Sequence, residues 1–307
     1  MNRQPTVILT ALCWCISFLT PAIAAPSGAM LPLFVPAAEA SAARQVLGHD
    51  FLSYRRTQGP RRGRDSVYLS GSNSSVLLDR ETGLAVEVYN DTKTSGGSGP
   101  PLIAPDQAFV HVTEFFKTTG IVLDGVWTLT HHDYYAGSRQ YDFTWRRVFR
   151  GVALASLINV TMDADGGHVL HYMLIDDPVV IPLQVNLTGE QALTIIAREK
   201  GWAHPVIKAA DLQVWYPDGY PGPQALLWRF EIMNPDATTG SDSYLWADVN
   251  ATTGKITRLD SPAGFFRRML KGQKTLSIPL PKPDLKALRG AKLPPTVFQL
   301  AKRKKAK

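Results

Sequence analysis

Met162-Asp163-Ala164-Asp165-Gly166-Gly167-His168-Val169 reads as a tight turn between two strands, and its pattern occurs three times. Upstream stands Leu78-Asp79-Arg80-Glu81-Thr82-Gly83-Leu84-Ala85, and downstream Val249-Asn250-Ala251-Thr252-Thr253-Gly254-Lys255-Ile256. Each has an apolar residue, Asp or Asn, three mostly polar or small residues, Gly, any residue, then a small or apolar one. The first two turns lie 84 residues apart and the last two 87. Turn chemistry explains the pattern. The Asp or Asn side chain caps the loop's own backbone, and Gly supplies the positive φ needed where the next strand begins. A recurrence at this interval points to repeated supersecondary units.

The flanking sequence repeats in the same order. Before the second turn, an apolar stripe of Ala108, Phe109, Val112, Phe115 and Phe116 predicts a helix over 105–117, which Gly120 ends. Strands are expected at 126–134, 141–149, 153–162 and 168–175, with Gly137-Ser138 and Gly151 at the turns. Before the third turn, Thr188 can cap a helix carrying Glu190 and Gln191 in its first turn, with Ala192, Leu193, Ile196 and Ala197 facing inward and Gly201 at its end. Strands follow at 212–216, 226–233, 243–249 and 255–259. Trp145-Arg146 and Trp228-Arg229 stand 83 residues apart on equivalent strands. Around the first turn the unit is shorter: an Ala-rich helix over 37–47 and about three strands. Arg55, Arg56, Arg61, Arg62 and Arg64 surround a Gly-Pro and read as a solvated loop. The fold class expected is α+β, built from repeated cystatin-like units, each one helix on a four-stranded antiparallel sheet.

The boundaries follow from composition. Residues 1–24 resemble a secretory signal: Arg3 precedes a nearly continuous apolar run from Val7 to Leu19, and Ala22-Ile23-Ala24 fits a cleavage site. The alternative is a membrane anchor formed by residues 7–24. A partial first unit occupies 37–92. Thr94 to Pro101 is a flexible connector, and full units occupy 102–180 and 186–262. Both cysteines, Cys13 and Cys15, fall inside the signal. Cleavage would leave no disulfide framework, thiolate zinc site or cysteine nucleophile. The expected location is secreted or periplasmic.

The net charge of +7 is unevenly spread. Residues 263–307 hold 13 Lys/Arg and a single acid, Asp284, so the rest of the chain is mildly acidic. A uniformly basic nucleic-acid-binding domain is therefore not expected. Gly264 to Lys271 is short, basic and amphipathic. Pro279, Pro281, Pro283, Pro294 and Pro295 favour extended chain, and the tail is expected to be largely disordered. Such a tail suits an anionic envelope surface.

No catalytic, cofactor or metal residue is assigned. His-Glu-x-x-His, the Gly-x-Ser-x-Gly elbow and the phosphate-binding Gly-Lys-Ser/Thr loop do not occur in the sequence. His131 and His132 are neighbours on a strand, and His168 and His171 are three apart, so each pair is split between faces. Asp163-Ala164-Asp165-Gly166 hints at a calcium loop, yet it lacks the closing Glu and further oxygen ligands. The aligned turns carry other residues there. Asp176-Asp177 read as a solvated strand end. Trp127, Trp145, Trp215, Trp228 and Trp246 lie on expected strands, as core residues or as an aromatic binding face.

Residues 102–262 resemble the PepSY superfamily, including the tandem modules of thermolysin-like metalloprotease propeptides. Phe143 to Val152 is similar to the first propeptide module, where an Arg-bearing strand turns at Gly into the next strand. Leu226-Leu227-Trp228-Arg229-Phe230 together with Val249 to Ile256 is similar to the second, with Asn250 where Asp is usual. Bacterial YcdB-type repeat proteins, and more distantly the small domains preceding the catalytic domain of copper amine oxidases, share the arrangement. The resemblance implies a non-catalytic module that binds another protein, such as a protease, as inhibitor or chaperone. Residues 263–307 are too few for a catalytic domain, so action in trans is expected. No cofactor is implied. The alternative expectation is a structural or ligand-binding envelope protein tethered by its basic tail.

Overall fold

The structure is a computed structural model that describes residues 37–47, 53–58, 65–90, 100–123, 125–236, 244–260, 276–277, 282–288, 291–297 and 299. The signal at 1–24, most of the connector at 94–101, the segment 264–271 and the basic end from Lys302 lie outside the described residues.

All three quoted turns form by the same hydrogen bonds. The N–H groups of Asp79, Asp163 and Asn250 donate to the carbonyls of Leu84, His168 and Lys255, each at 2.9 Å. The glycine N–H returns to the carbonyl of the Asp or Asn: Gly83 at 2.7 Å, Gly167 at 3.1 Å and Gly254 at 2.8 Å. These glycines have φ of 77°, 70° and 76°, the left-handed region that costs a side chain most. The carboxylate or amide oxygen then accepts a loop N–H, from Thr82 at 2.8 Å, Gly166 at 2.6 Å and Thr253 at 2.9 Å.

Helix α1 (Ala37–Leu47) leads to strands β1 (Ser53–Gln58), β2 (Asp65–Ser70), β3 (Ser74–Asp79) and β4 (Ala85–Asn90). Helix α2 (Pro105–Thr119) leads to β5 (Trp127–Tyr135), β6 (Gln140–Phe149), β7 (Val152–Asp163) and β8 (Val169–Asp176). Helix α3 (Gly189–Lys200) leads to β9 (Val206–Trp215), β10 (Ala225–Met233), β11 (Tyr244–Asn250) and β12 (Ile256–Asp260). Strand β13 (Leu276–Ser277) and the single-turn α4 (Leu285–Leu288) follow. Gly120 and Gly201 end α2 and α3 in the left-handed conformation, and Thr188 with Gln191 forms a reciprocal cap on α3. The arginine-rich stretch expected as a loop is in part strand: Arg55 and Arg56 pair with Tyr68 and Val67 across β1 and β2.

The expectation of repeated helix-on-four-strand units is corrected by the pairing between them. One mixed sheet of 13 strands runs through all three segments. Strand β4 pairs antiparallel with β8, placing Glu87, Val88 and Tyr89 opposite Met173, Tyr172 and His171. The joint to the third segment is parallel: Val152 and Ala153 of β7 meet Leu212 and Gln213 of β9. Strand β7 has 12 residues, enough to pair with β6 on one edge and with β9 and then β8 on the other. The core likewise ignores the unit boundary. Ala43 and Leu47 of α1, Val112 and Phe116 of α2, and residues of β2 to β8 form a single apolar cluster. Two helices thus cover one shared core, and α3 covers a second built on β9 to β11.

Candidate functional site

Strict alternation sets two faces on the sheet. Tyr141, Phe143 and Trp145 of β6 and Trp228 and Phe230 of β10 point into the helix-covered cores, as does Trp127. Asp142, Thr144 and Arg146, and likewise Arg229 and Glu231, project from the other side. Trp215 and Trp246 lie there too, with Arg146 over the Trp215 ring at 4.8 Å and Arg258 over Trp246 at 5.6 Å. The five expected strand tryptophans therefore divide between core and charged face.

On the charged face of β9 to β12, Asp211, Arg229, Asp248 and Arg258 form a row of cross-strand neighbours. Arg229 grips Asp248 through two bonds of 2.8 Å each. Arg146 enters from β6 and donates Nη1–H to Gln213 Oε1 at 2.8 Å. Burial and the neighbouring Arg229 push its guanidinium down to about 9. Burial raises Asp211, against the pull of Arg146 and Arg229.

A second polar group lies between β6 and β8. Asp142 accepts Asn159 Nδ2–H at 3.0 Å and Thr161 Oγ1–H at 3.0 Å. Desolvation raises this carboxyl, opposed by those bonds and by His131 and His171. Desolvation also depresses His171, opposed by Glu87 and Asp142. His131 pairs with Thr144, while the ring of His132 stacks 6.4 Å from Phe143, so the two neighbours do separate. Asp165 of the suspected calcium loop is held by Arg139, through Nε at 2.8 Å and through Nη2. Among the described residues, no group of three or more His, Cys, Asp or Glu could hold a metal ion.

The third group contains what the sequence reading missed. Asp176, expected at a solvated strand end, is fully buried beside Arg147 at the end of β8. Arg147 follows Trp145 to the inward side by the same alternation that sends Arg146 outward, and lies over the Trp127 ring at 5.8 Å. Its Nη1 reaches Asp176 Oδ1 at 3.3 Å, and Ser156 Oγ–H donates to the same oxygen at 2.6 Å. Desolvation raises Asp176, opposed first by Arg147. The following Asp177 accepts the Tyr216 hydroxyl at 2.6 Å and so is not a solvated strand end either.

This buried pair holds part of the tail. Arg147 Nη2–H donates to the Pro295 carbonyl at 2.7 Å, and the Val297 N–H donates to Asp176 Oδ2. A second attachment lies at the β6–β7 turn. The Asp284 N–H donates to the Arg150 carbonyl at 3.1 Å, and Arg150 Nη1–H to the Ala287 carbonyl. Leu288 is buried in the α3 core and Val297 in the α2 core. Residues 282–297, expected within a disordered tail, are therefore attached at both ends over their described positions. Prolines favouring extended chain, spaced between apolar residues, were the available signal.

No protein-family model matches the chain, and the comparison with curated proteins returns no relative. Among solved structures, the Bacillus megaterium YpeB C-terminal domain aligns with a TM-score of 0.46 at 15% identity, covering 74% of this chain and 97% of that domain. A Clostridium difficile protein described as a lipoprotein aligns with a TM-score of 0.21 at 11% identity, covering 53% of this chain and 95% of its own. Among the described residues, no helix is long and apolar enough to cross a membrane.

Proposed function

We propose that this chain is an exported, non-catalytic PepSY-like protein that binds another protein, with an extracytoplasmic protease or its precursor as the partner class. The residues similar to propeptide modules support the partner class. The observation that carries the reading is the edge of β9, open over 206–211 among the described residues. There β9 pairs with β10 on one side, while on the other, among the described residues, Leu212 and Gln213 alone meet β7. Val206 and Ile207 on that stretch are 39% and 42% exposed. An open strand edge with exposed apolar side chains suits strand addition, in which main-chain hydrogen bonds supply affinity and alternate side chains supply selectivity.

The test mixes the purified chain with secreted proteases and their precursors, reading residual activity and co-elution by size exclusion. A complex weakened at least tenfold by Ile207→Lys is expected. The absence of both inhibition and complex formation removes the reading.

The tail's charge favours a second reading, attachment to an anionic surface. Because residues 282–297 are built into the fold, the informative truncation is 300–307, which removes five Lys/Arg. Loss of salt-sensitive binding to anionic vesicles supports this reading; unchanged binding excludes it.

A further inference from the structure

Arg147 and Asp176 address the tail through its main chain. They take one carbonyl acceptor, from Pro295, and one N–H donor, from Val297, two residues apart. Arg150 does the same at the other attachment, accepting from the Asp284 N–H and donating to the Ala287 carbonyl. Among the described residues, side-chain selectivity enters at the sockets of Leu288 and Val297, nine positions apart, with Leu285 half-buried beside the first and Thr296 buried beside the second. Recognition by backbone groups plus apolar anchors is how a protein holds a peptide.

The site is also not saturated by its present occupant. Arg147 is 2% exposed, yet its Nε is buried with no hydrogen-bond partner among the described residues. An unpaired buried donor costs about 1–3 kcal/mol. A segment that brings one more acceptor to this position would bind better than the chain's own. Emptying the site would remove the Pro295 partner of Arg147 Nη2 and the Val297 partner of Asp176 Oδ2.

We infer that Arg147, Asp176 and Arg150 form a peptide-binding site, filled in cis by residues 282–297, that accepts a peptide from a protein partner in trans. The inference rests on the protein-binding reading above and names the partner's chemistry: a segment with apolar anchors nine residues apart and a spare acceptor near the second. The covalent link gives the cis segment an effective concentration of about 1 mM, which an incoming peptide must overcome.

The probe is a fluorescein-labelled synthetic peptide of residues 282–299, titrated by anisotropy against the full-length chain. Val297→Asp in the chain loosens its own segment. This variant is expected to bind the wild-type peptide saturably and at least tenfold more tightly than the wild-type chain does. A peptide carrying Val297→Asp should not bind, and adding Asp176→Asn to the chain should weaken binding at least tenfold. Circular dichroism and cooperative unfolding report that the variant is folded. Should it not fold, a wild-type chain cut at a protease site engineered between 277 and 282 tests exchange of the severed segment for labelled peptide. A folded chain that neither binds nor exchanges the peptide overturns the inference. So does a chain whose segment exchanges only within dimers of itself, read by size exclusion. No protease takes part, so failure here leaves the β9-edge reading to its own assay.

Discussion

 

Arg147 and Asp176 stand 29 positions apart in sequence and meet at 3.3 Å, with side chains 2% and 0% exposed. They are joined because β6 and β8 flank β7 in the sheet. Asp176→Asn leaves the Arg147 charge buried without its counter-charge, which should cost roughly 3–5 kcal/mol. Replacing both, as Arg147→Met with Asp176→Leu, should cost less than the single change, since no charge is then stranded. Urea unfolding of the single and double variants measures the difference.

His171 sets an acid limit on stability. Its folded value lies below the ordinary 6.5, because burial disfavours the imidazolium despite Glu87 and Asp142. Between the folded and unfolded values the unfolded chain binds more protons. Stability therefore rises with pH through that window and is lost as pH falls below 6.5. His171→Gln should flatten the slope in this range. Urea midpoints at several pH values, with and without the substitution, read the effect.

The third turn offers a local test. Gly254 has φ of 76°, and an added Cβ would lie 3.1 Å from Leu187 Cδ1. Gly254→Ala should cost about 1–2 kcal/mol from the left-handed backbone alone. Asn250→Ala removes the acceptor for the Thr252 and Thr253 N–H groups and should cost about 1 kcal/mol. Asn250→Asp should be nearly neutral, because Asp79 and Asp163 already serve in the sister turns. Chemical denaturation compares the three variants.

Gly151 tests the tail attachment. Its φ is 79°, and an added Cβ would lie 2.5 Å from the Pro283 Cα. Gly151→Ala should push residues 282–284 away from the β6–β7 turn. The expected result is faster hydrogen exchange at the Asp284 and Ala287 N–H groups, which donate to the Arg150 carbonyl and to Asp284 Oδ1. Mass spectrometry of peptides from 282–288 reads it, and unchanged exchange would show that the turn does not seat the segment.

What could be read from the chain alone was local. The three turns need only an Asp or Asn and a Gly five positions or fewer apart, and Thr188, Gln191 and Gly201 mark the ends of α3 from within it or immediately beside it. Alternation along β6 and β10 separates the core side from the charged side without reference to any other strand. The joining of β4 to β8 and of β7 to β9, and the burial of Asp176 as the partner that Arg147 meets, were decided by the tertiary structure. Edge pairing depends on which strand ends are left open after the local hairpins form, and main-chain hydrogen bonds carry no residue code. The tail was misread for the same reason: its polar contacts run through the Pro295 carbonyl and the Val297 N–H, which no side chain announces.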